Sequence, residues 1–215
     1  MLIKNKIEVL SVNVGKRRTI EMSEKAIATG IFKYPTSSPV NIGKEGIVGD
    51  VIGNKGYHGG VDQALYLYSQ KDYKWWEKEL GKSISPGTFG ENLTLTTFPD
   101  NPLRIGDRFA ANNLLLEITA PRIPCATLAA RMDDIAFVKK FVKAQRPGVY
   151  VRVLEIGTLQ AGDYLDFIPS LENFPTVIEA FNLWYDKEPD QTLLRKILSS
   201  PIAHRAKAML QQWVD

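Results

Sequence analysis

The chain has 215 residues, with 27 Lys and Arg against 24 Asp and Glu and a formal net charge of +3. Its 44% hydrophobic and 24% charged residues are those of a folded globular chain and exclude intrinsic disorder. So small a surplus gives no nucleic-acid footprint, and no apolar run approaches the ~20 residues of a membrane helix.

Lys4, Lys6 and Glu8 interrupt the apolar N-terminal stretch, which therefore lacks the order of a secretory signal, and a cytoplasmic protein is expected. The single cysteine, Cys125, excludes an internal disulfide and a multi-cysteine zinc site, and His58 and His204 are the only histidines.

In chain order, residues 6–14 alternate apolar and polar and predict a strand, with strand character again over 26–34. The aromatic run 64–68 predicts a buried strand. Ser69 then caps a helix over 70–80 that stops at Gly81. Residues 92–97 predict a strand, and 108–111 with 114–119 predict a hairpin turning at Asn112-Asn113. Helices follow over 125–132 and 134–144. Residues 148–156 and 164–168 predict a second hairpin, with Gly157 and Gly162-Asp163 in its loop.

Beyond Ser170 three short amphipathic helices fit 176–185, 190–198 and 201–214, the last with Ser200 as cap and Pro201 at its first position. The expected division is a β-rich domain over 1–170 and a three-helix segment over 171–215. A unit so small is marginal alone. It should lean on the β domain or on a partner, so a chain ending near Leu171 is expected to remain folded and keep any cofactor but to be less soluble or to work less well with a partner.

Chemistry has few groups to use. Cys125 follows Pro121-Arg122-Ile123-Pro124 at the start of a predicted helix, where unpaired N–H groups and Arg122 favour a thiolate; otherwise it is a small buried apolar residue. His58, between Gly56 and Gly59-Gly60, can donate to an anion, move protons or cap a turn. Asp50, in the loop 46–50, binds a cation or hydroxyl or orders its own turn, and Asn92 closes the glycine-rich loop 86–92. Neither loop has the spacing of a Walker or dinucleotide-binding motif. Lys33 either faces a pocket or is exposed, and Arg152 alternates with apolar neighbours on one strand face. His204 reads as a surface or packing residue.

These segments resemble the MOSC family, the C-terminal domain of molybdenum cofactor sulfurases. The likeness rests on Lys33, Gly46 with Gly49-Asp50, His58-Gly59-Gly60 with Gln63-Ala64, Gly87-Thr88-Phe89-Gly90-Glu91-Asn92, Gly106-Asp107, Pro121-Arg122-Ile123-Pro124-Cys125 and Gly148, Tyr150 and Arg152 with Gly162-Asp163. They run in order over residues 6–168, and the helical tail is similar to that of the YiiM-type branch. The resemblance implies a mainly β fold with α, a barrel-like domain with peripheral helices, followed by a small three-helix bundle.

It also implies an oxidoreductase holding molybdenum cofactor (molybdopterin), with Cys125 ligating molybdenum and Lys33, Arg122 and Arg152 compensating anionic groups. His58, Asp50 and Asn92 would line the pterin or substrate side, with His58 sharing the catalytic role of Cys125. The implied substrates are N-hydroxylated small molecules, and the implied partner is a flavin or iron–sulfur electron donor. Many relatives carry Gln and a basic residue where this chain has Ala120 and Thr127. The alternatives are a carrier of persulfide sulfur on Cys125, delivering to a metal–sulfur cluster, and a non-catalytic cofactor-binding module.

Overall fold

The computed structural model describes residues 6–22, 25–53 and 58–214. Its strands are β1 (Lys6–Gly15), β2 (Arg18–Met22), β3 (Lys25–Thr29), β4 (Lys33–Pro35), β5 (Val40–Gly43), β6 (Gly46–Ile47), β7 (Leu65–Ser69), β8 (Leu93–Leu95), β9 (Arg108–Ala111), β10 (Leu114–Pro121), β11 (Val149–Glu155), β12 (Gly157–Leu159) and β13 (Tyr164–Ile168). The helices are α1 (Gln70–Leu80), α2 (Ala126–Met132), α3 (Phe137–Ala144), α4 (Val177–Leu183), α5 (Gln191–Ser199) and α6 (His204–Leu210). None among the described residues is long and apolar enough to cross a membrane.

Period-two alternation builds the ring. In β7, Leu65 and Leu67 enter the barrel core, whereas Tyr66 and Tyr68 point to an aromatic cluster outside it with Trp76, Phe89, Phe137 and Phe141. The strand is buried on both faces, which is why it reads as a continuous apolar run. The order β13-β9-β10-β11-β7-β8-β1 closes through pairing of β1 with β13, giving a seven-stranded barrel with β4 added on β1. Only β7 and β8 run parallel, joined through α1. Ser69 Oγ accepts the Asp72 N–H at 3.1 Å to start α1, and Gly81 ends it in the left-handed region.

The structure corrects three readings. Residues 26–34 are not one strand, because the chain leaves β3 at Thr29 and re-enters pairing only at Lys33; β3 instead forms a hairpin with β2. β11 and β13 do not pair. β12 intervenes and joins β5, while β13 bridges β9 and β1 to close the ring. Ser200 does not cap the last helix. Its hydroxyl donates backward to the Ile197 carbonyl at 2.6 Å, and α6 begins at His204.

The helical tail is bound closely to the barrel. Thr176 and Glu179 form a reciprocal capping box at α4, and Asp190 caps α5. Val177, Leu183, Leu194, Ile197, Ile202 and Leu210 belong to the same buried apolar core as barrel residues such as Val9, Leu116 and Val151. β13 ends at Ile168, close to the expected boundary, but the core runs across it.

Candidate functional site

A change of register between Ile118 and Ala120 in the β10–β11 pair re-aims the end of β10. The chain then passes Arg122 and two prolines to Cys125, which has extended backbone and directly precedes α2. Arg122 is buried. One guanidinium nitrogen donates to the Phe89 carbonyl at 2.5 Å, the group lies 4.8 Å from the Tyr66 ring centre, and Nε has no protein partner.

Burial pushes the pKa of the Cys125 thiol up, but a hydrogen bond from His58 and the charge of Arg122 overcome it and bring the pKa down to about 6. Near neutral pH the sulfur is therefore mostly thiolate. Among the described residues no three His, Cys, Asp or Glu side chains converge to hold a metal. A metal at this cysteine would need its other ligands from a cofactor.

Lys33, Asp50 and Asn92 form a second cluster. Lys33 Nζ donates to Asp50 Oδ2, which also accepts from Asn92 Nδ2 at 2.9 Å, while Asp50 Oδ1 accepts the Gly15 N–H at 2.7 Å. Burial lowers the Lys33 pKa, opposed by Asp50. Behind this cluster the fully buried Glu91 accepts from Tyr73 Oη at 2.6 Å, the Gly87 N–H at 2.6 Å and Thr94 Oγ1 at 2.7 Å. Burial raises the Glu91 pKa against those three donors. Gly87, at φ +85°, lies so close to Lys33 that a Cβ would come 2.4 Å from its carbonyl oxygen. The glycine-rich loop is thus a brace holding Phe89 and Lys33 in place.

The two clusters share one cavity of about 510 Å³, lined by Lys33, Asp50, His58, Asn92, Arg122 and Cys125. Arg152 is absent from its lining. The outer face of β11 carries Arg152 toward Asp62 at 3.2 Å and Glu117 at 3.7 Å, and it donates to the Pro201 carbonyl at 2.8 Å. Its charge is taken up by two carboxylates, so the expectation that it compensates a bound anion is corrected. His204 is exposed, and its backbone N–H donates to Asp62 Oδ2 at 2.7 Å. Gly56 and Tyr57, next to His58, lie outside the described residues.

A model of the MOSC domain matches residues 54–166. The protein "Uncharacterized protein YflK" of Bacillus subtilis is 34% identical over 91% of this chain and 89% of its own length. The chain belongs to the MOSC domain family. The crystal structure of YiiM from Geobacillus stearothermophilus matches with a TM-score of 0.81 over 97% of this chain and 100% of that one, at 24% identity, so the two share a fold. A protein named "Reductase" from Gibberella moniliformis is 30% identical over 73% of this chain, which corresponds to 30% of that longer protein.

Ala120 and Thr127 also line the cavity. Sequence reasoning missed other parts of the wall: Ile27 and Ala28 of β3, the rings of Tyr66 and Tyr150, and Trp184, Ile202, Arg205, Ala206 and Met209 from the tail. The alternating pattern of residues 18–29 held a signal for the hairpin. Nothing local marked the tail residues.

The acidified thiol gives a direct expectation. In protein made without cofactor, the rate of Cys125 alkylation by iodoacetamide should rise with pH and reach half its plateau near pH 6. Arg122→Ala removes a cation that favours the thiolate, so the midpoint should move upward. Alkylation that stays slow to pH 8 in the wild type would contradict the assigned electrostatics.

Proposed function

We propose that this protein is a molybdenum-cofactor-dependent oxidoreductase that reduces N-hydroxylated compounds. The observation that carries the reading is the Cys125 sulfur, held as thiolate in a cavity beside Arg122. The family is associated with molybdenum-cofactor binding, and the name of the Gibberella relative is in keeping with reductive chemistry.

The residues present fit the cofactor. A soft thiolate suits molybdenum, and the cavity has the size of a small-molecule site. Arg122 retains a buried N–H without a protein partner, as expected beside an anionic ligand. Cys125 would ligate the metal, with Arg122 and Lys33 beside the anionic groups and Asn92 and Asp50 fixing the Lys33 head group. When bound, the cofactor supplies two-electron oxygen-atom transfer chemistry. The net reaction takes two electrons and two protons, breaks the N–O bond, and leaves an amine and water. His58, hydrogen-bonded to the Cys125 sulfur, is the group able to carry a proton at that end of the cavity. The electrons come from a flavin or iron–sulfur protein.

The test is metal and pterin analysis of protein from a cofactor-competent host, followed by turnover of N-phenylhydroxylamine with reduced methyl viologen. Near-stoichiometric molybdenum and formation of aniline are expected. Pterin content should fall in Arg122→Ala and, to a lesser degree, in Lys33→Ala, whose charge is shared with Asp50. Cyanide-labile sulfur without molybdenum would instead identify a persulfide carrier. Bound molybdenum without turnover would leave a cofactor-binding module.

A further inference from the structure

We propose that α6 and the turn before it form the wall that grips the apolar body of the substrate, so that the C-terminal helices select among N-hydroxylated compounds. This rests on the reductase reading of the same cavity. Ile202, Ala206 and Met209 line that cavity together with Cys125, and Trp184 joins them from the end of α4. Ala206 and Met209, three residues apart, share one face of α6, and Ile202 adds to it from the turn before the helix. Around Cys125 the groups are those that serve the N–O bond and the cofactor. The apolar surface that can distinguish one substrate body from another includes this helix.

The turn that leads into this wall is tied to the barrel. The Ala203 N–H donates to the Thr119 carbonyl at 2.9 Å, and the His204 N–H to Asp62. Arg152 acts here as a positioning residue, because it ties the Pro201 carbonyl to Asp62 and Glu117 and so holds the turn into α6 against the barrel. Met209 is 49% exposed, so the wall reaches the cavity mouth and its side chain can adapt to different ring shapes. The substrate class is therefore an N-hydroxylated compound with an aromatic or similarly apolar body, in preference to hydroxylamine itself.

Two variants test the wall: Met209→Ala, at a half-exposed position, and Ala206→Phe, which fills cavity volume. Anaerobic equilibrium dialysis of N-phenylhydroxylamine against each purified holoprotein reads affinity without turnover. Binding should weaken about tenfold in each, the loss that goes with removing or blocking one large apolar contact, with molybdenum and pterin content unchanged. Unchanged affinity in both variants would overturn the proposal. So would loss of pterin in step with affinity, which would assign the wall to the cofactor. If the wild type carries no molybdenum the reductase reading falls, and the dialysis ratios still decide whether the helix grips the ring.

Discussion

Cys125→Ser is expected to lower reduction of N-hydroxylated compounds by more than about 100-fold, beyond the loss typical of residues that only support a metal ligand. A serine hydroxyl is a hard oxygen that stays protonated at neutral pH, so it loses both the charge and the softness that the thiolate offers. The fold should survive. The Cys125 side chain is not fully buried and is nearly matched in size by serine. Molybdenum content should fall with activity, whereas pterin should persist in part, because Arg122 and Lys33 remain. Thermal melting alongside metal analysis separates these effects. A serine variant that works at the wild-type rate removes Cys125 from the metal.

Ending the chain at Leu171 should have the second large effect, on folding itself. Ile197, Leu194 and Leu210 are fully buried, and Ile202 and Leu183 nearly so, in a core shared with the barrel. Each such side chain gains roughly 1.5–3 kcal/mol on burial, so deleting a few uncovers barrel surface comparable in value to a whole domain's net stability of about 5–15 kcal/mol. The truncated chain should be insoluble, or melt at least roughly 10 °C lower, a shift that corresponds to a few kcal/mol at this chain length. It should also lose affinity for N-phenylhydroxylamine, since Trp184, Ile202, Ala206 and Met209 leave with the helices. The sequence alone suggested a tail that leans on the barrel or a partner but can be removed without unfolding the barrel. A soluble truncation with unchanged melting temperature and affinity would restore that view.

That contrast shows what the sequence makes legible. Local signals were reliable: the Ser69 cap and Gly81 stop of α1 and the two-residue turn at Asn112-Asn113 all stand in the structure. The motif residues around His58, Asn92 and Cys125 converge on one cavity with Lys33 and Asp50, although they are spread over about two-fifths of the chain. Long-range facts had no local sign. Alternation put Arg152 on the face of β11 that also carries Tyr150, but its partner at Pro201 lies 49 residues away on a turn that sequence patterning mistook for a helix start. Pairing of β1 with β13 likewise joins the first strand to the last, a closure that neither strand's pattern encodes. The tail's part in the wall follows from docking of α6 on Thr119 and Asp62, which becomes visible only in three dimensions.

Arg122 stands between two regions that a reader of the cavity would treat separately. In front of it is the sulfur whose acidity it sets. Behind it are the Phe89 carbonyl and the Tyr66 ring, both from the aromatic layer between the barrel and helices α1 and α3. Phe89 is itself packed against Tyr68, Tyr73 and Trp76, with ring centres 4.7, 5.2 and 5.7 Å away. The cation beside the sulfur is thus held from the rear, by residues that do not include the sulfur's own neighbours on α2. Evolution of this scaffold can adjust reactivity and substrate choice through two separate sets of residues, one behind Arg122 and one on α6.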